Sequence, residues 1–330
     1  MNEIISIIIP VYNADKYISR CLQSILKQEF KEYKIYLIDD GSIDNSRDIC
    51  NNYAEKYKQI EIYHKKNGGA ASARNFGIDN AVGEYICFID ADDFIHPQYL
   101  KILYNNAKEF SCDVSMCDIY ITKDNKILPL REDYNSIQVK SNIEILYDCC
   151  KRNKTTVTTP CAKLVKKSLF DDIRYPIGRT YEDLATTHKI LYRANKVVIS
   201  KQQMYYYFMS PDSVMRKQYS ILNFNSENLA QEERLVFFRN IGDQELYDKL
   251  LISVQRNRIA NYCKCRKYLK SYKKERYSLF KKYKANYNAI KQNEISIQDK
   301  ILFRLFFLLP NVCAIILFPL YEFNENRKWR

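Results

Sequence analysis

The 330-residue sequence predicts an α/β fold: a mostly parallel central sheet flanked by helices, followed by a helical C-terminal region. Three observations predict it. Short β-branched runs alternate with helical patterns through the first hundred residues, each run closes on acids, asparagine or glycine, and glycine nearly vanishes after Ser220. Strand, helix, strand repetition requires crossover connections, and crossovers make neighbouring strands parallel.

The elements follow in order. "IISIIIP", Ile4 to Pro10, is a continuous apolar run stopped by proline, the pattern of a strand buried on both faces. Ile18, Leu22, Ile25 and Leu26 recur at helical spacing behind Asp15, which reads as the cap. "YKIYLIDDGS", "EIYHKKNGG" and "GEYICFIDADD" supply the second, third and fourth strands, with helices over 42–58 and 70–81 between them. A further helix runs over about 97–109, where Asp92 and Asp93 are candidate caps. "CDVSMCDIYI" reads as another strand, "NKILPLREDYNS" as a hairpin or loop, and "QQMYYYFMSPDSVMR" as a tyrosine-rich strand leaving into a loop. From Ser220 the sequence reads as successive helices broken near Gly242.

Composition excludes a disordered chain, since 46% of residues are hydrophobic and 14% aromatic. The formal charge of +13 is concentrated: between Arg256 and Lys291 thirteen basic residues face the single acid Glu275. Eleven cysteines are scattered without paired CxxC knuckles, which argues against a zinc site and for buried or inert thiols. The start "MNEIISIIIP" lacks the basic, cleavable pattern of a secretory signal, so a cytoplasmic location with reduced thiols is expected.

In open α/β sheets ligands gather at the carboxyl ends of the strands. Those ends carry Pro10-Val11-Tyr12-Asn13, Asp39-Asp40-Gly41-Ser42, Asn67-Gly68-Gly69 and Asp90-Ala91-Asp92-Asp93. Carboxylates two residues apart can share one hard divalent cation whose other positions are filled by water and phosphate. Glycines at 68 and 69 permit close approach of backbone to a ligand, Arg74 can pair with a phosphate, Tyr12 can stack on a ring, and Asp40 can accept a hydrogen bond from one. Each cluster alone is an ordinary turn or cap. Their shared location is what points to a metal-bound nucleoside diphosphate.

The stretches "SIIIPVYNADKYISRCLQSILKQEFKEYKIYLIDDGSIDNS" and "NGGAASARNFGIDNAVGEYICFIDADDF" closely resemble the nucleotide-sugar-binding half of family 2 inverting glycosyltransferases with the GT-A fold. The resemblance is tight over 4–110 and looser to about 216. It implies a catalytic domain over 1–216, made of a donor half (1–110) and an acceptor half (111–216), and a separate helical region over 217–330. It also implies that Pro10, Tyr12, Asp40, Gly69, Arg74, Asp90 and Ala91 hold the nucleotide-sugar. Asp92 then matches the metal ligand, with Asp90 beside it, for Mn²⁺ or Mg²⁺; the role of Asp93 is open.

Inverting transfer needs a base for the acceptor hydroxyl. "GRTYEDLATTHKILYRANKV" offers Glu182-Asp183 at a helix start, where two acids also complement the helix dipole. The resemblance casts Asp183 as the base and Glu182 as an acceptor contact. It also places an arginine after the tyrosines where this chain has Phe208, which puts a phosphate contact there in doubt and leaves Arg216 as a substitute. His188 reads as structural before it reads as a ligand, and Thr155 to Lys163 is expected to border the acceptor groove.

In the last third Tyr262, Tyr268, Tyr272, Tyr277, Tyr283 and Tyr287 interleave with lysines, a mixture that raises nucleic acid as a partner. No nucleic-acid motif accompanies it. "ILFRLFFLLPNVCAIILFPLYEF" is apolar but broken by Arg304, Pro310, Asn311 and Pro319, too short in each piece to span a bilayer. With "NRKWR" at the end, it suits attachment to the inner face of a membrane; packing within the chain or in a homodimer is the alternative. The sequence therefore reads as an enzyme moving a sugar from a UDP-sugar to a glycan or lipid-linked glycan in cell-surface polysaccharide assembly. A nucleotidyltransferase should instead show a basic glycine-rich loop after the first strand, and a non-catalytic binding protein could dispense with Asp92 or Asp183.

Overall fold

Strand β1 (Ile5–Val11) lies at the centre of a parallel group, between β2 (Tyr33–Asp39) and β4 (Tyr85–Phe88), with β3 (Ile60–His64) beyond β2. Its five isoleucine and valine side chains are fully buried, as a strand covered on both faces requires. The computed structural model describes residues 3–131, 136–151, 155–209, 219–291 and 295–316.

Helices α1 (Ile18–Leu26), α2 (Ser46–Lys56) and α3 (Ala70–Asn80) occupy the predicted intervals. Two boundaries differ from the sequence reading for a local reason. The cap of α1 is Tyr17, because the Ala14 carbonyl already takes the Tyr17 and Ile18 amides at 2.9 Å, while the Asp15 amide donates to Asp44. Helix α2 starts four residues late because Asp39 and Asp44 capture the Ser42 and Ser46 amides and hold 39–46 as a turn. Gly77 of α3 is pressed against β1, where a Cβ would overlap the Ile8 methyl.

After β4 come β5 (Phe94–Ile95) and α4 (Tyr99–Glu109), whose cap is Gln98; neither Asp92 nor Asp93 caps it. The second half of the sheet is mixed. Strand β6 (Val114–Thr122) pairs antiparallel with β8 (Lys163–Lys166), which pairs antiparallel with β4, and pairs parallel with the long β9 (Lys196–Phe208). The far edge of β9 carries β5 and β7 (Ile137–Ser141), both antiparallel. Among the described residues nine strands form one sheet, ordered β3-β2-β1-β4-β8-β6-β9-β5 with β7 also on β9. Helices α5 (Asn142–Cys149), α6 (Thr155–Thr158) and α7 (Glu182–Arg193) complete this part, and residues 125–131 carry no regular element.

The chain divides into two compact units. One holds the sheet; the other holds the chain from residue 217 with the short pieces 150–152 and 179–181. The second unit is helical: α8 (Ile221–Ile241), α9 (Gln244–Tyr268), α10 (Lys273–Lys291) and α11 (Ile297–Leu308). The break falls where predicted, with Gly242 in the left-handed conformation and Asp243 capping α9 through the Leu246 amide. Ser220 and Asn223 form a reciprocal cap on α8.

Part of the tyrosine set of this unit builds its core. Tyr262 and Tyr283 are buried with Leu279, Ile290, Phe303 and Phe306, and the Tyr283 hydroxyl donates to the Phe303 carbonyl at 2.7 Å. Tyr268 and Tyr277 are exposed. Arg256 holds Asp299 by two hydrogen bonds of 2.8 and 2.6 Å, and buried Arg258 holds Glu232 at 2.8 Å, so part of the basic excess is spent on internal pairs. Among the described residues no helix is long and apolar enough to cross a membrane. All eleven cysteines are free and buried.

Candidate active site

The four strand ends meet as side chains that fold one another's loops. Asp39 is buried; its carboxylate accepts the Ser42 amide at 3.0 Å and faces His64 Nδ1 at 2.9 Å. Burial acts to raise its pKa, but hydrogen bonds from Ser42 and His64 outweigh that and hold it below the usual carboxylate range. Asp40, also buried, accepts the Gly68 amide at 3.0 Å, the Gly69 amide at 2.7 Å and the Lys65 ammonium. Gly69 has φ 84 as the cap of α3, a conformation that glycine adopts at least cost. Asn13, at φ 50, donates its amide to Ser42 and accepts the Ile43 amide at 2.9 Å. Tyr12 is half exposed and Pro10 half-buried at the same strand end.

The acidic turn after β4 is held from three sides. The Asp90 carboxylate accepts Arg74 Nη2 at 3.0 Å. The backbone carbonyl of Asp92 accepts a hydrogen bond from Arg20 of α1. Asp93 is fully buried, taking the Tyr205 hydroxyl at 2.6 Å and the Phe208 amide at 2.8 Å, so it ties the end of β9 to the turn. Burial first, then Asp92 and Asp90, hold the Asp93 pKa well above the carboxylate range. The Tyr205 hydroxyl also accepts the Asp90 amide, and Ala91 is buried between the acids.

Arg74 is the link to the rest of the site. Only 6% exposed, it donates to Asp90 with one amino group and, at 2.5 Å, to Glu182 Oε1 with the other. A residue 108 positions away is thereby brought to the acidic turn. Beside Glu182, the Asp183 carboxylate accepts the amide of Leu184 at 2.7 Å. Burial, and then the Glu182 charge, push the Asp183 pKa up to about 6. Tyr181, immediately before α7, has φ 57, a strained value for a bulky residue.

Other sequence-predicted residues fall as follows. His188 is 2% exposed on the inward side of α7. The 155–163 segment is organised by Lys163, whose buried ammonium donates to the carbonyls of Thr156, Thr159 and Cys161. Burial pulls its pKa down to about 8. Arg216 lies outside the described residues. The sequence reading did not single out Lys65, Tyr205 or Arg20. Their partners lie 25, 112 and 72 positions away, and no local pattern announces such pairs.

The donor set suits a hard cation. Asp90 keeps one carboxylate oxygen outside its bond to Arg74, and the Asp92 carboxyl accepts no hydrogen bond from any other described residue. Burial, and then the Asp90 charge, push the Asp92 pKa up to about 6, against the smaller opposing pull of Arg20. Among the described residues no group of three or more His, Cys, Asp or Glu side chains is placed to hold a metal, so the protein offers a pair of carboxylates rather than a closed cage.

Residues 6–174 match the family model described as "Glycosyl transferase family 2". Over 271 residues the chain is 32% identical to glycosyltransferase GlyG of Streptococcus pneumoniae serotype 4 (strain ATCC BAA-334 / TIGR4), covering 80% of this chain and 88% of that one. The chain belongs to glycosyl transferase family 2. Its fold is that of the GT-A enzymes of this family. It superposes on S. aureus TarS residues 1–349, solved with UDP-GlcNAc, with a TM-score of 0.60 at 20% identity over 87% of this chain and 92% of that one. It superposes on the mannosyltransferase PcManGT of Pyrobaculum calidifontis, solved with GDP-Man and Mn²⁺, with a TM-score of 0.56 at 13% identity over 96% and 87%.

Proposed function

We propose that this glycosyltransferase moves a sugar from a UDP-sugar to a hydroxyl of a glycan or lipid-linked glycan, with inversion, in the assembly of a cell-surface polysaccharide. The observation that carries the reading is the Arg74 bridge, which brings the acidic pair of α7 to the acidic turn of β4. Tyr12, Pro10 and the loop that Asp40 holds would frame the base, with Gly69 opening α3 toward the phosphates. Asp92 and the open oxygen of Asp90 would hold Mn²⁺ or Mg²⁺. Such an ion, when bound, offsets the charge that develops on the leaving diphosphate.

The two acids of α7 are not equivalent. Glu182 is paired with Arg74, whereas among the described residues Asp183 accepts the Leu184 amide on one oxygen and has a pKa pushed up to about 6. Asp183 is therefore suited to take the proton of the acceptor hydroxyl, and Glu182 to orient the acceptor and Arg74. Inversion follows from a single displacement, with no covalent enzyme intermediate.

The helical unit supports attachment to the cytoplasmic face of a membrane. On α11 Ile297, Ile301 and Leu308 recur at i, i+4 and i+11 and are exposed by 76, 63 and 60%, with Lys300 and Arg304 beside them. Arg304 lies within that exposed face and Lys300 at its edge, and apolar side chains with cations among them fit an anionic lipid surface. Pairing of two copies through the same stripe is the other outcome.

The test is calorimetric titration of UDP and a panel of UDP-sugars, with and without Mn²⁺, into the wild type and Asp92→Ala. Metal-dependent binding of one UDP-sugar that the variant loses is the expected result. Binding of GDP-Man but no uridine nucleotide would overturn the donor assignment. Failure of every nucleotide-sugar would leave a fold kept without its chemistry.

A further inference from the structure

The acidic turn is gripped by two arginines, one from each of two helices. Arg74 of α3 takes the Asp90 carboxylate, and Arg20 of α1 takes the backbone two residues on. One of its amino groups donates to the Asp92 carbonyl and the other to Asn125 Oδ1 at 2.5 Å. Its guanidinium lies 3.9 Å from the centre of the Phe208 ring, 4.9 Å from that of Phe94 and 5.9 Å from that of Tyr17. The Nε of each arginine is buried and has no hydrogen-bond partner, so the protein saturates neither guanidinium.

A backbone carbonyl can be held by any neutral donor. Placing a half-buried cation there costs desolvation, and burial does lower the pKa of Arg20. The cost is explained by what the cation faces: Asp90, Asp92 and Asp93 stand within four residues, and Arg74 answers only the first of them. Phe208 is the second half of the arrangement. Its amide is fixed by Asp93, and its ring forms the surface on which Arg20 lies, a stacking that guanidinium favours over ammonium. Phe208 is thus the platform for an arginine from α1.

Resting on the sugar-transfer reading, we infer that Arg20 is a positioning residue: seated on Phe208, it fixes the backbone of Asp92 and supplies the second cation of the metal-diphosphate end of the site. It acts through Asp92 and touches no reacting atom. Its removal should therefore weaken nucleotide binding only where that binding depends on the metal.

Arg20→Met, Arg20→Lys and Phe208→Leu are compared with wild type by calorimetric titration of UDP, with and without Mn²⁺, and by urea unfolding. Arg20→Met should weaken UDP binding in Mn²⁺ by about tenfold or more, the scale of one charge-assisted contact. Metal-free binding should stay unchanged. Arg20→Lys, which keeps the charge but loses the planar fork, should recover part of the loss, and Phe208→Leu should fall between wild type and Arg20→Met. Equal loss with and without metal, or no loss, would overturn the assignment, since either result marks Arg20 as packing alone. Should Arg20→Met fail to fold, Phe208→Leu decides: unchanged metal-dependent affinity in that variant also overturns it. A wild type that binds no UDP in Mn²⁺ would sink the donor reading, and this inference with it. The inference alone is lost when the wild type binds UDP in Mn²⁺ and the variants either bind as well or lose affinity equally with and without metal.

Discussion

Asp183 makes the pH dependence of the reaction a direct test of its proposed role. With a pKa pushed up to about 6, the carboxyl is about nine-tenths ionised near pH 7 and only about one-tenth near pH 5. At its ordinary value of 3.8 it would be more than about nine-tenths ionised at both. The base must be ionised to act, so at saturating Mn²⁺, where the cation would keep Asp92 ionised, kcat/KM should fall about tenfold per unit below about pH 6. Neighbours fix the direction of further shifts. Glu182 disfavours the charged form, so Glu182→Gln should move the acidic limb to lower pH; Arg74 favours it, so Arg74→Met should move the limb up. Position of the limb, rather than height of the plateau, is the quantity to read, by following nucleoside diphosphate release. Asp183→Asn should lower the plateau by about 10²- to 10⁴-fold, the usual contribution of a positioned base. A rate that stays flat to about pH 5, or a limb that Glu182→Gln leaves in place, would refute the assignment.

Three further outcomes are expected. Gly77→Ala should destabilise the fold by about 1–3 kcal/mol in urea unfolding, because the added methyl must displace Ile8 of the central strand; a change below about half a kcal/mol would mean that α3 shifts freely. Tyr205→Phe should cost about 1–3 kcal/mol by stripping a donor from buried Asp93, again read in urea, and a neutral outcome would show that Asp93 is satisfied by Phe208 alone. Ile301→Glu with Leu308→Glu should abolish flotation with anionic vesicles while leaving metal-dependent UDP binding intact; unchanged flotation would remove α11 from the membrane reading.

The parallel half of the sheet was legible because its strands are uninterrupted apolar runs ending in turn residues, a local signal. Helix starts were less so: the four-residue error at α2 arose because Asp39 and Asp44 act as loop staples, a competition between side chain and backbone that periodicity does not register. In the mixed half only β6 and β9 were read as strands; β5, β7 and β8 are two to five residues long, too short for a periodic signal, and nothing local says that β8 inserts between β4 and β6. At the site, the partners that hold the candidate side chains in place were not legible: Asp40 holds Lys65, Gly68 and Gly69, and Glu182 holds Arg74, pairs between residues 25 to 108 positions apart that no local pattern announces. The tyrosines of the helical unit interleave with lysines along the sequence, but Leu279, Tyr283, Tyr287 and Ile290 share one face of α10, and that phase placed them in or against the core.

Arg74 carries a consequence for the order of events. One guanidinium serves as counter-charge to Asp90 and to Glu182 at once. Under the proposed assignment, a cation that recruits Asp90 leaves that guanidinium to Glu182 alone, and an acceptor that engages Glu182 leaves it to Asp90. Free energy is then exchanged between the two halves of the site through a single side chain, and thermodynamic reciprocity requires donor and acceptor to change each other's affinity by the same factor. The affinity for either substrate would then report the presence of the other, with no moving domain needed to carry the message.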